Sequence, residues 1–160
     1  MKKQSYFFFA LLGILMGLPF ITTAQKISQA VIPSTVLEAF KNKFPKVKKV
    51  VWEMESQRRY EAEFKLGGME HSAEFDETGK WLGTAIDLPA SKLPTAVKTE
   101  IKKHYPGFKL DEITLVNDPD KGVQYKVDIE KQNLEYRLTC KPDGEIAKVH
   151  TETEIRMKMK

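Results

Sequence analysis

Carboxylate side chains are the groups whose spacing best suits this sequence to bind something. Eight acidic and three basic residues lie between positions 50 and 78, so this segment carries a net charge of −5. The acids alternate with apolar residues at positions 60–64, which places Glu61 and Glu63 on one face of a β-strand. Such a face could capture a basic protein patch, with charge steering the encounter. It could also bind a cation such as Ca²⁺, although flat sheets seldom converge enough oxygens, or be a solvated face that prevents aggregation.

Catalytic patterns do not emerge from the remaining polar residues. The histidines, His71, His104 and His150, fall in different predicted elements, and no two are four residues apart. Neither a Gly-x-Ser-x-Gly nucleophile elbow nor a glycine-rich phosphate loop is present. We therefore predict that the chain is not an enzyme and uses no cofactor or metal in catalysis.

The single cysteine excludes both an intramolecular disulfide and a four-thiolate zinc site. Cys140 alternates with Leu138 and Tyr136, so it is predicted to lie on the apolar face of a strand. A buried structural cysteine is the favoured interpretation, and a reactive thiol is the alternative.

Composition limits the class of protein further. The chain has 160 residues, of which 41% are hydrophobic and 30% charged, with 26 basic against 22 acidic side chains. That length fits one domain or two very small ones. The charges are too balanced for a strong nucleic-acid binder, and the hydrophobic fraction is too high for wholesale disorder.

The N-terminus has the pattern of an export signal. Two lysines precede an apolar run from Tyr6 to Ile21, and small residues at positions 22–24 follow it. We predict a signal peptide over residues 1–24, with cleavage between Ala24 and Gln25. An uncleaved anchor is the alternative, but glycines and a proline interrupt the run. The expected product is a periplasmic or secreted protein of 136 residues with a formal charge of +2 and no stable membrane anchor.

The remaining chain contains the same unit twice. Ile32-Pro33-Ser34-Thr35-Val36 recurs 61 residues later as Leu93-Pro94-Thr95-Ala96-Val97, and Gly79 recurs 65 residues later as Gly144. Matches in the same order with one short insertion indicate a duplication. We predict a first module over residues 25–87 and a second over residues 88–160.

Each unit is predicted to be one helix followed by four strands. Apolar residues spaced by four, such as Val36, Phe40 and Phe44, indicate a helix with one buried stripe. Alternation with one polar face then indicates a sheet that is covered on one side only. The predicted strands lie near Val50–Glu55, Arg59–Leu66, Glu70–Asp76, Lys80–Asp87, Glu112–Val116, Val123–Glu130, Glu135–Lys141 and Ile146–Glu154.

A family resemblance is carried by three stretches of the first unit. These are Ile32-Pro33 to Phe44-Pro45, Val51-Trp52-Glu53 with Tyr60-Glu61-Ala62-Glu63-Phe64, and Glu74-Phe75-Asp76 with Gly79-Lys80-Trp81-Leu82. The pattern resembles the PepSY-like family of exported bacterial proteins, also called β-lactamase-inhibitor-like and common in Bacteroidetes. The second unit departs from it, with Ile113 in place of the tryptophan and Cys140 in place of Phe75.

The resemblance implies an α+β fold in which each module is a helix packed on a four-stranded antiparallel sheet. It also implies noncatalytic binding, by analogy with secreted inhibitors that grip an enzyme with the sheet surface. The expected partner is a protein in the envelope or outside the cell, bound in an inhibitor-like manner. The alternative is an envelope protein that binds a metal ion or small ligand through its acidic first module.

The predicted partner-binding residues lie on the polar sheet face and at one exposed aromatic position. Trp81 follows a turn and is expected to be partly exposed, as interface anchors are, although packing across the sheet end is the other interpretation. The predicted set is Glu53, Glu55, Glu61, Glu63, Glu74, Trp81, Lys126 and Arg137.

Overall fold

The computed structural model describes residues 25–54 and 58–151, which form two α-helices, nine strands and two short 3₁₀ turns. In chain order the helices and strands are β1 (Gln25–Ile27), α1 (Ser34–Lys43), β2 (Val50–Met54), β3 (Arg59–Leu66), β4 (Met69–Asp76), β5 (Trp81–Asp87), α2 (Thr95–His104), β6 (Lys109–Asp118), β7 (Gly122–Lys131), β8 (Leu134–Cys140) and β9 (Ile146–Thr151). The predicted signal peptide lies outside the described residues. So does Glu55.

Each helix begins directly after a proline. Pro33 and Pro94 occupy the cap positions, where the backbone needs no N–H donor, and each proline carbonyl accepts a hydrogen bond from the first turn. The residues spaced by four are buried, as the sequence pattern predicts. They are Val36 and Phe40 in α1, and Val97 and Ile101 in α2. Both helices have ten residues, and no helix in the described ranges is long and apolar enough to cross a membrane.

All nine strands belong to one antiparallel sheet, in the order in which they follow one another in the chain. Four strands follow each helix, β2–β5 and β6–β9, but the expected four-stranded sheet per module is not confirmed, because all of them belong to one larger sheet. The two halves are joined where β5 pairs with β6, with Ala85 opposite Val116 and Asp87 opposite Thr114. We call this ladder the junction. It satisfies the backbone groups that would otherwise be exposed on two sheet edges, and β1 lengthens the sheet further by pairing with β2.

Both helices lie on the same face of the sheet. Directly paired residues share a face, and Phe64, His71, Ile86, Leu115 and Tyr125 form one continuous row of partners across five strands. Phe64 packs with α1, and Tyr125 packs with α2. We call this side the helix face and the opposite side, on which neither helix packs, the open face.

The core consists of two clusters on the helix face. Under α1, the Phe40 ring makes edge-on contacts with Trp52, Phe64 and Phe75 at centroid distances of 5.2–6.2 Å. Under α2 the buried residues are smaller and mostly aliphatic, and Cys140 is among them with no exposed surface. Burial raises the pKa of its thiol to about 11, which fits a structural and unreactive cysteine.

Two glycines allow turns of the sheet to lie very close to the helices. Gly79 and Gly144, in the β4–β5 and β8–β9 turns, have φ angles of +84° and +100°. A Cβ at Gly79 would lie 2.6 Å from the Thr35 carbonyl oxygen, and one at Gly144 would lie 2.9 Å from that of Ala96. Each turn therefore lies so close to the first turn of its helix that a residue with a side chain would not fit at the glycine position.

Alanine at either of these glycines is expected to destabilise the fold by more than about 1 kcal/mol, because it adds a backbone clash to an unfavourable φ. Gly67→Ala is the matched control: Gly67 also has a positive φ, +61°, but a Cβ there meets nothing within 4 Å. Urea denaturation of the three variants measures the difference. Equal losses for Gly79→Ala and Gly67→Ala would contradict the close approach.

Phe40→Ala is expected to cost about 3–5 kcal/mol, because it removes the ring at the centre of the first cluster and leaves a cavity. Leu134→Ala, at a half-exposed strand position, is expected to change stability by less than about 0.5 kcal/mol. Chemical denaturation measures both, and a near-silent Phe40→Ala would contradict the packing of α1 on the sheet.

Candidate functional site: the open face of the sheet

Three of the predicted acids lie side by side on the open face. Glu53 in β2 pairs with Glu61 in β3, and Glu61 pairs with Glu74 in β4, so their side chains form one row across three strands. Lys26 in β1 pairs with Glu53 at the end of this row. The alternation that predicted a shared face for these carboxylates is thus realised in the sheet, and neighbouring like charges meet at direct cross-strand positions.

Glu63 begins a second, parallel row. It lies opposite Ser72, whose hydroxyl donates a short hydrogen bond to Oε1 of Glu61. Partial burial raises the pKa of Glu63, and the carboxylates of Glu53 and Glu61 raise it further. The acids of this face therefore repel one another through a medium that screens charge less well than water does.

Glu74 is the most unusual of these acids. Only 5% of the residue is exposed, and neither carboxylate oxygen has a hydrogen-bond partner among the residues that the structure describes. Burial raises its pKa to about 7 and the Glu61 carboxylate adds to the rise, whereas Arg59 and Lys126 oppose it. A buried carboxylate without a partner is costly, and such groups mark candidate binding sites.

The two predicted basic residues also lie on the open face, in the second half of the sheet. Arg137 in β8 pairs with Asp128 in β7 and donates from Nε to Oδ1 at 2.7 Å, in a two-pronged ion pair. Burial lowers the pKa of Lys126, and Arg137 lowers it further, while Glu74 opposes the shift. The open face is thus acidic over β2–β4 and of mixed charge over β7–β8.

Trp81 does not belong to this face. It lies opposite Phe75 on the helix face, its Nε1 donates to Thr84 Oγ1 at 2.9 Å, and the Lys43 ammonium lies 3.5 Å from the ring centroid. A bulge at Glu74 and Phe75 shifts the register, which determines the side on which Trp81 lies. The structure therefore separates Trp81 from the acids with which the sequence grouped it.

A shallow cavity beside Glu74 is the main feature that the sequence analysis missed. It lies on the open face and has room for about one water-sized group. The open-face residues that line it are Ser72, Glu74, Gly83, Ala85, Val116 and Asp118. The alternating small residues of β5 were the available signal, because a glycine inside a strand marks a place that another group can approach.

Asp87 extends the acidic region toward the junction. Burial, together with the Glu70 carboxylate, raises the pKa of Asp87 to about 6. Within residues 25–54 and 58–151, however, no group of three or more His, Cys, Asp or Glu side chains is arranged to hold a metal ion. The carboxylates of Glu53, Glu61 and Glu74 lie in a row across the strands.

The architecture is shared with solved structures of several bacterial proteins. A BLIP-like protein from Bacteroides fragilis matches with a TM-score of 0.69 and 25% identity, over 76% of this chain and 87% of that one. A DUF2874 family protein from Bacteroides uniformis matches with a TM-score of 0.68 and 25% identity, over 76% and 90% of the two chains. Another from Bacteroides ovatus matches with a TM-score of 0.68 and 25% identity, over 74% and 86%.

The family itself follows from the sequence comparison. The chain belongs to the beta-lactamase-inhibitor-like, PepSY-like family, whose model matches residues 21–70 and 58–148. The match in two segments agrees with the resemblance and with two modules, although the exact module boundaries stay predictions. No curated protein matches the chain.

Glu74→Gln is expected to remove a pH-dependent loss of stability. Because the folded-state pKa of about 7 exceeds the ordinary value of 4.5, the folded state holds this proton more tightly than the unfolded chain. The group therefore stabilises the fold fully at low pH, and that contribution is lost as the pH rises from 4.5 through 7, by about 3 kcal/mol in all.

Urea denaturation of wild type and Glu74→Gln between pH 5 and 8 measures this loss. Glu70→Gln, in the same strand but exposed, is the matched control. The advantage of Glu74→Gln over wild type should grow with pH. If both proteins have parallel profiles, the unpaired carboxylate is not buried in solution.

Proposed function

We propose that this chain is a noncatalytic, exported binding module that captures a basic patch of a partner protein on its open face, in an inhibitor-like manner. The observation that supports this most directly is the row of Glu53, Glu61 and Glu74 on the open face. The row ends in the buried carboxylate of Glu74, whose oxygens have no hydrogen-bond partner among the described residues. A partner that supplies positive charge would relieve both the repulsion and the unpaired group.

Three further features support the proposal. The N-terminal signal pattern fits a protein that works outside the cytoplasm. The family, together with the BLIP-like fold of its solved neighbour, suggests binding through a sheet surface. Both helices also pack on the helix face through the two core clusters. An interface on the open face would therefore be formed by strands that the core already holds in place.

The acidic half is proposed as the centre of the interface because its charges are least compensated. Arg137 already pairs with Asp128, and Lys126 lies near carboxylates, so the second half offers less net charge to a partner. Trp81 is not part of the proposed interface, since it packs on the helix face.

The test is capture from envelope extract by the immobilised chain, with cross-linking and identification of bound proteins by mass spectrometry. Glu53→Lys/Glu63→Lys reverses two partly exposed open-face acids and is expected to reduce capture at least tenfold. Raising the salt concentration to about 0.5 M should weaken wild-type capture, because added ions screen the encounter.

Glu38→Lys/Glu100→Lys is the matched control, since it makes the same charge change on the two helices. It should leave capture unchanged, and circular dichroism verifies that both double variants are folded. Recovery of the same proteins in the same amounts by Glu53→Lys/Glu63→Lys would reject the open face as the binding site.

A further inference from the structure

The cavity beside Glu74 is lined by two buried acids, Glu74 and Asp118, and on the β5 side partly by the small residues Gly83 and Ala85. Gly83 pairs directly with Glu74, and Ala85 pairs with Ser72, so at these two positions β5 contributes at most a methyl group. A Cβ at Gly83 would meet only the Asn117 carbonyl oxygen, at 3.5 Å. The space next to the Glu74 carboxylate is therefore left by the missing side chain of Gly83.

Among the described residues, no basic side chain donates a hydrogen bond to the Glu74 carboxylate. Arg59 and Lys126 are close enough to lower its pKa, yet neither donates a hydrogen bond to it. The Ser72 hydroxyl is adjacent, but it donates to Glu61 instead. A buried acid that keeps two oxygens without donors carries an energetic penalty, which a donor from outside the chain would relieve.

The dimensions of the cavity select among possible donors. Room for about one water-sized group suits the compact head of a primary ammonium, which carries three donors on a flexible stem. A guanidinium group is planar and larger, and its paired donors need access along the whole edge of a carboxylate. The aliphatic stem of a lysine could also lie against Ala85 and Val116, the small apolar cluster of the open face.

We propose that Glu74 anchors a subsite for a primary ammonium group, supplied by a lysine side chain of the partner protein, in the cavity between Ser72 and Gly83. The subsite rests on the proposed function, because it identifies the basic group that the open face would capture. It assigns Glu74 and Gly83 different roles, the acid as acceptor and the glycine as the source of space.

Binding is expected to depend on pH, since the ammonium pairs with the ionised acid. The charged groups near Glu74 are Arg59 and Glu61 in β3, Lys126 in β7 and Asp118 in β6, while β5 presents none to it. Because the pKa of Glu74 is about 7, most of the carboxyl groups are protonated below pH 7, and a cation can pair with Glu74 only after this proton has left. Affinity should therefore fall about tenfold between pH 8 and pH 6.

The test uses n-butylammonium as the probe and the full chain, with the Glu74 side-chain carboxyl carbon followed by NMR. At pH 8 the probe should shift this resonance saturably. Glu74→Gln should weaken binding at least tenfold, as measured from backbone amide shifts of residues 72–74 and 83–85. Gly83→Ala should weaken it several-fold, because the added methyl occupies the cavity while the carboxylate stays. n-Butylguanidinium should bind more weakly than n-butylammonium.

The outcomes separate this subsite from the proposed function. No saturable shift at Glu74, or equal binding to wild type and Glu74→Gln, overturns the subsite; so does tighter binding of the guanidinium probe. If that result accompanies reduced capture by Glu53→Lys/Glu63→Lys, the open face binds its partner without this pocket. If the probe binds as expected but charge reversal leaves capture unchanged, the subsite exists and the proposed function fails.

Discussion

The junction between β5 and β6 is the constraint on which the rest of the structure depends. Its backbone hydrogen bonds join two repeated halves into one sheet and thereby place both helices on the same side. Had the halves formed separate sheets, each would have exposed an edge, and their polar faces would not have been continuous. Continuity across the junction is what makes a broad, unobstructed face out of two modules of about sixty residues each.

The open face departs from the usual behaviour of a wet sheet surface. Polar residues on such faces normally remain solvated, yet Glu61 and Glu74 are only 4% and 5% exposed. Glu61 lies between Glu53 and Glu74 in its row, whereas Glu74 lies between Glu61 and Gly83. The helix face supplies the stability that tolerates this arrangement, through the aromatic contacts around Phe40 and the aliphatic cluster under α2. The residues that stabilise the fold thus lie on the helix face, and the proposed binding residues lie on the open face.

Local patterns in the sequence predicted the parts of this structure that depend on local chemistry. The stripe of Val36 and Phe40 is buried as expected, and the alternation around Glu61 correctly placed the acids together. The junction was not predictable in the same way, because Ala85 and Val116 are apolar residues on the open face and obscure the alternation there. The side on which Trp81 lies was not predictable from alternation, because the register between β4 and β5 shifts between Glu74 and Phe75, and such a shift changes which residues share a face. The cavity beside Glu74 was not predictable locally either, because its lining comes from three strands, β4, β5 and β6.

The position of Trp81 has a practical consequence. The chain contains two tryptophans, Trp52 and Trp81, and both belong to the cluster under α1. The cluster under α2 contains tyrosines, Phe108, Cys140 and aliphatic residues. Indole fluorescence consequently reports on the first half of the sheet alone, while far-ultraviolet circular dichroism reports on both halves. Coincident transitions by the two methods would indicate that the halves unfold as one cooperative unit. The natural positions of the two tryptophans therefore allow the cooperativity between the two repeats to be measured without an added label.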